Sequence, residues 1–112
     1  MKERCGVLAN NNFFEIKNIS DRSDIEFIMD PIEFYEIVSK YEIKAIVHTH
    51  LHDSCELSYR DLINMKIWKI PWIIIAKDCA YCYIYSKFGI LKFDIKTSFF
   101  KKFYNLLMKL LE

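Results

Sequence analysis

Glycine and proline are scarce in this chain, two of each in 112 residues. That excludes a collagen-like or Gly/Pro-rich low-complexity protein, and neither linker nor internal repeat interrupts the sequence. An excess of one charge is lacking too: sixteen basic and fifteen acidic side chains leave a net charge of +1. Without a basic footprint no nucleic-acid partner is expected. Apolar runs long enough to cross a bilayer are missing, so no membrane partner is expected either. The opening "MKERCGVLAN" has no charged segment leading into an extended apolar stretch, which reads as no secretory signal and a cytoplasmic protein. Histidine is confined to one place, His48, His50 and His52, within five positions.

What the chain does have is apolar bulk. Just over half of its residues are apolar and nine are Phe, enough for a core without disulfide staples. The length leaves no room for two ordinary cores, so residues 1–112 read as a single domain. Cys5, Cys55, Cys79 and Cys82 read as free, mostly buried thiols in a reducing compartment.

Hydrophobic periodicity orders the elements. "CGVLAN" and "NNFFEIKNIS" are two extended runs around an asparagine cluster suited to a turn. "DIEFIMD" alternates Ile25, Phe27 and Met29 with acidic residues, the period of a half-buried strand. Asp30 and Pro31 open a helix with Ile32, Tyr35, Ile37 and Val38 roughly on one face. "IKAIVH" reads as a buried central strand that ends in the histidines. "SYRDLINMKIW" is helical, with Ser58 as cap and Asp61 in the first turn. Three strands follow in "PWIIIAKD", "AYCYIYS" and "GILKFDI", and "TSFFKKFYNLLMKLLE" closes the chain as an amphipathic helix. The order β-β-β-α-β-α-β-β-β-α predicts an α/β fold, a mixed central sheet flanked by helices.

On an extended strand His48 and His50 point to the same side, roughly 6.5–7 Å apart along the backbone. Two imidazoles so placed can converge on one ion, with Asp61 at the next helix start as third ligand and a fourth position left to water. A metal site, a proton relay and an accident of composition all remain open on that pair alone. His52 shares the parity but is expected to leave with the loop, and Asp53, Cys55 and Glu56 are expected to face water there. Cys79-Ala-Tyr-Cys82 lacks the second pair a zinc knuckle needs, and the H-x-E and P-C-x-x-C of nucleobase deaminases are absent.

The full pattern narrows the choice. His48-Thr49-His50, seven residues, Ser58, two residues, Asp61 resembles the JAMM (MPN+) zinc metalloprotease motif without a gap. "ERCGVL" resembles the family's upstream segment, a Glu three positions before a Gly at the first strand. The resemblance runs from Glu3 to about Tyr85. It implies an MPN fold of cytidine-deaminase-like architecture and one Zn2+ per chain on His48, His50 and Asp61. It further implies Glu3 as general base and Ser58 as hydrogen-bond donor to the developing oxyanion; Ser58 as helix cap competes with that second role for one hydroxyl. Family domains usually begin with a helix ahead of the Glu, whereas two residues precede Glu3 here, and a disordered start would leave the base poorly positioned. Leu51 stands where many bacterial members have Pro.

The insertions of eukaryotic deubiquitinases and the Gly- and Pro-rich run of the DNA-repair-associated branch do not fit here. The compact prokaryotic or phage-tail type remains, "NNNFFEIKNISDRSDIEFIMDPIEFYEI" resembling its tail-tip domains. The expected activity is therefore zinc-dependent hydrolysis of an amide in a peptide or protein substrate, in cell-wall peptide or a tail protein. The alternatives are removal of a C-terminal extension from a ubiquitin-like or sulfur-carrier protein, and a non-catalytic MPN scaffold. The broad apolar face of the last helix, Phe99 to Leu111, reads first as core packing and second as a surface for a homodimer or partner.

Overall fold

A computed structural model describes residues 1–52 and 54–112. Asp53, expected to face water, lies outside the described residues. Strands β1 (Cys5–Ala9) and β2 (Asn12–Ile16) form a hairpin. Asn10 and Asn11 turn it at φ 50° and 58°, a left-handed conformation that asparagine tolerates and that matches the twist of the flanking strands. Helix α1 (Pro31–Val38) follows, its first turn capped by the Asp30 carboxylate, which accepts from Ile32 N–H at 2.8 Å and Glu33 N–H at 3.3 Å. Then come β3 (Ile43–Thr49), α2 (Tyr59–Trp68), β4 (Trp72–Ala76), β5 (Cys79–Ser86) and β6 (Gly89–Asp94).

The strands form one mixed sheet in the order β2-β1-β3-β4-β5-β6. β3 and β4 pair in parallel, and α2 supplies the crossover such a pair requires. The other pairings are antiparallel. Ala45 and Val47 face a core closed by Phe100, Phe103, Leu107 and Leu110. Ile46 faces a second core with Met65 of α2, Trp72 and Ile74, against which Phe27, Met29, Phe34 and Ile37 pack. By the same alternation His48 and His50 lie on the α2 face of the sheet. Among the described residues no helix is long and apolar enough to cross a membrane.

The mixed α/β sheet is as expected, with β3 inside it and buried from Ala45 to Thr49. Three local expectations are corrected. Residues 25–30 are not a strand. Turns occupy 21–25, and one isolated bridge joins Asn18 to Met29. In α1 it is Phe34 and Ile37 that pack, whereas Ile32 and Tyr35 are about 70% exposed, at 71% and 70%. The C-terminal segment is broken into short 3-10 turns at Ile95–Thr97, Lys101–Phe103 and Lys109–Leu111 around a five-residue helix, α3 (Tyr104–Met108). Phe100, Phe103, Leu107 and Leu110 of its apolar face pack into the core as expected, while Phe99, Leu106 and Leu111 are exposed.

Candidate metal centre

β3 delivers His48 and His50 to the foot of α2, where Asp61 closes the group. His48 Nε2 lies 3.1 Å from Asp61 Oδ1, His50 Nε2 lies 3.2 Å from Asp61 Oδ2, and the two Nε2 atoms are 3.2 Å apart. All three residues are buried. His50 Nδ1 donates to the Ser54 carbonyl at 3.0 Å, since a carbonyl oxygen only accepts. That bond turns the Nε2 lone pair of a neutral His50 toward the group, the second contact usual for a metal-ligating histidine.

Three electron-rich donors aimed at one point repel unless protons or a cation lie among them. Ligand atoms bound tetrahedrally at about 2.0–2.1 Å are separated by roughly 3.3 Å, close to the separations seen here. The group can therefore hold a metal ion. The electrostatics favour the ligand forms of His48 and Asp61. Burial holds the His48 imidazole below its usual pKa in spite of Asp61, which favours the neutral ligand form. At His50 burial is outweighed by the contacts to Asp61 and Ser54, and the pKa rises. Burial also disfavours ionised Asp61, but the two imidazoles and the Ser58 N–H overcome it and hold the carboxylate well below its ordinary range.

Ser58 and Asp61 form a reciprocal capping box. The Ser58 hydroxyl oxygen accepts from Asp61 N–H at 3.0 Å, and Asp61 Oδ2 accepts from Ser58 N–H at 3.0 Å. The ligand-type carboxylate is thus oriented by the helix it starts. As a cap the Ser58 hydroxyl uses an oxygen lone pair, and among the described residues no acceptor takes its hydrogen.

Glu3 reaches the same pocket through sheet register. Cys5 pairs with His48 in the antiparallel β1–β3 ladder, so two residues further along Glu3 stands opposite His50, on the same face. Thr49 N–H donates to the Arg4 carbonyl at 2.9 Å and carries the pairing past the strand end. Glu3 is only 4% exposed, and it lines a small pocket with His50, Ser58 and Asp61. Burial pushes its carboxyl up to about 7, with Asp61, Glu26 and Asp24 adding to the effect and His50 opposing it. Gly6 explains the spacing of "ERCG": a Cβ there would collide with the Phe14 carbonyl and the Phe13 ring of β2.

Sequence reasoning missed several neighbours. Phe27 stacks on His48 at 4.4 Å between ring centroids. An apolar cleft of about 340 Å³ opens beside the pocket, floored by Ile46 and Trp72, and shares Phe27, Arg60 and Asn64 with it. Arg60 pairs with Glu26 at 2.9 Å along that shared wall. His52 is exposed and outside the ligand group, as expected.

The cysteine expectation is corrected. Cys55 does not face water. It is buried, joined to Cys79 by a disulfide, and its carbonyl accepts from the Tyr83 hydroxyl at 2.7 Å. Cys5 and Cys82 are the buried free thiols. The loop that carries Ser54, the partner of His50, is thereby tied to β5. With a sequence separation of 24, the bond restricts the unfolded chain by about 3 kcal/mol. Reduction, or Cys79→Ser, is expected to lower urea-unfolding stability by about that amount. Superimposable curves before and after reduction would show that the crosslink constrains nothing.

No protein-family model matches the chain. It is 31% identical to the desampylase of Pyrococcus furiosus over an alignment of 88 positions that covers 70% of this chain and 63% of the relative. The matching region thus spans just under two thirds of that protein's length. The fold is similar to the solution structure of protein DSY2949 from Desulfitobacterium hafniense, with a TM-score of 0.67 at 18% identity, covering 83% of this chain and 76% of that one. The likeness to DSY2949 is one of fold.

Proposed function

We propose that this protein is a zinc-dependent isopeptidase of the compact prokaryotic JAMM type, hydrolysing the amide that joins a ubiquitin-like protein to its target. In this proposal residues 1–112 form one catalytic domain. The observation that carries it is the convergence of His48, His50 and Asp61 beside a pocket that His50 and Asp61 line together with Glu3 and Ser58. Likeness to a desampylase favours a ubiquitin-like substrate over cell-wall peptide or a phage-tail protein.

His48 Nε2, His50 Nε2 and an Asp61 oxygen would hold the ion. Bound there, zinc supplies Lewis acidity that polarises a substrate carbonyl and makes water more acidic. Glu3 takes the proton of the attacking water and returns it to the departing amine. A carboxyl raised to about 7 suits both halves of that transfer near neutral pH. Ser58 donates its free hydroxyl hydrogen to the oxygen on which negative charge develops, from a position the capping box fixes beforehand. The apolar cleft beside Phe27 receives the extended tail that precedes the scissile bond.

The test is metal stoichiometry on protein purified without chelators, followed by incubation with a lysine-linked ubiquitin-like conjugate and intact-mass readout. About one zinc per chain and product masses of simple hydrolysis, abolished by chelator and restored by zinc, are expected. No zinc even after addition would leave a metal-free scaffold as the function. Zinc bound with only muropeptides cleaved would reassign the substrate.

A further inference from the structure

We infer that Asn18 is a positioning residue for Glu3, a role that rests on Glu3 being the general base proposed above. Asn18 is buried, 6% exposed, and its amide is saturated with backbone partners. Its Nδ2 donates to the Glu3 carbonyl at 2.8 Å and to the Glu26 carbonyl at 3.0 Å. Its Oδ1 accepts from Ser20 N–H at 3.1 Å and from Ile28 N–H at 3.0 Å. An asparagine side chain offers two donor hydrogens and two acceptor lone pairs, so nothing is left over. The opposite amide orientation would set oxygen against two carbonyls and nitrogen against two N–H groups, so the network permits only one.

These bonds join two parts of the pocket that the sheet does not hold together. Glu3 lies before the first residue of β1, with its own N–H donating to the Ser23 carbonyl at 2.5 Å. Residues 26–28 carry Glu26, which pairs with Arg60, and Phe27, which stacks on His48. Ile19 N–H donates to the Ile28 carbonyl at 2.9 Å, closing the loop on itself. A single buried amide thus clips the backbone of the base to the loop that walls the pocket. Asn18 touches neither the ligand group nor the space between Glu3 and Asp61, so it acts on Glu3 only through the main chain.

Asn18→Asp separates the two halves of the clip. Aspartate keeps both acceptors for Ser20 and Ile28 but cannot donate to Glu3 or Glu26. Amide hydrogen exchange on the zinc-loaded full chain reads the effect without reference to activity. In the wild type, Glu3 and Ile28 N–H groups should open together as one unit. In Asn18→Asp, Glu3 exchange should rise roughly tenfold or more, Ile28 should change less, and zinc stoichiometry should be unaltered. In Asn18→Ala both amides should lose protection. On a cleavable conjugate, Asn18→Asp should lower kcat with KM unchanged. Glu3 exchanging like a free terminus in the wild type, or unchanged in Asn18→Asp, overturns the inference. The wild-type comparison decides the matter if neither variant folds. Exchange as expected in a wild type that cleaves nothing would retain the clip and reject the isopeptidase.

Discussion

Asp61→Ala is expected to abolish metal binding and reduce hydrolysis to background. Asp61 is the one anion in the ligand group, and its two oxygens face His48 and His50 separately. Without it two imidazoles remain, a poor site for a dication in a buried setting where charge must be balanced. The substitution also removes the return bond of the capping box, from Ser58 N–H, while the Ser58 hydroxyl keeps its bond to the N–H of residue 61. Asp61→Asn distinguishes the two losses, because an amide oxygen still accepts from Ser58 N–H but is a much weaker ligand. Zinc per chain by elemental mass spectrometry and melting curves with and without chelator give the readout. An ion present at about 1,000 times its Kd adds about 4 kcal/mol to the stability of the folded state. Chelator should therefore lower the wild-type Tm and leave both variants unmoved. An Asp61→Ala protein that keeps one zinc per chain would remove the aspartate from the ligand set.

The ligand group is legible in the sequence because each part obeys a local rule. Alternation along "IKAIVHTH" forces His48 and His50 onto one face, and the Ser-x-x-Asp spacing sets a helix start where Asp61 turns back toward them. Glu3 is harder to place. Nothing near it in sequence predicts the Cys5–His48 register that puts it opposite His50. Its position depends on Gly6 letting β2 approach and on Asn18, a residue whose role is invisible until the chain is folded.

The failures share a cause as well. "DIEFIMD" alternates as a strand does, and Phe27 and Met29 do pack inward. But an alternating pattern makes a strand only where a neighbour offers a ladder, and Asn18 takes the Ile28 N–H with its side chain instead. In the C-terminal segment Phe100, Phe103, Leu107 and Leu110 keep a helical spacing even though the backbone alternates between 3-10 and α turns, so the buried face was readable and the continuous helix was not. Cys55 and Cys79 are 24 residues apart. Four cysteines allow three pairings if all are joined, and composition cannot choose among them.

Glu3→Gln is expected to lower turnover about 10²–10⁴-fold while zinc stays at about one per chain, the ordinary contribution of a positioned general base. Glutamine keeps the shape and the hydrogen-bonding capacity but cannot take a proton. In metal-free protein the same change should raise stability, and the sign follows from the raised carboxyl pKa. The folded state holds the Glu3 proton more tightly than the unfolded chain, about 7 against 4.5. Its stabilising contribution is complete below the unfolded value and is lost as pH climbs through the folded one. Glutamine imitates the protonated acid at every pH. Urea unfolding in chelator should therefore find the variant close to wild type at about pH 5 and more stable at about pH 8, by up to roughly 3 kcal/mol. A variant less stable than wild type at the higher pH would mean that the pocket welcomes the carboxylate, and a welcomed carboxylate is a poor base. Activity and stability should thus move in opposite directions at one buried atom pair, as expected where an ionisable group is kept in a dry pocket for its chemistry.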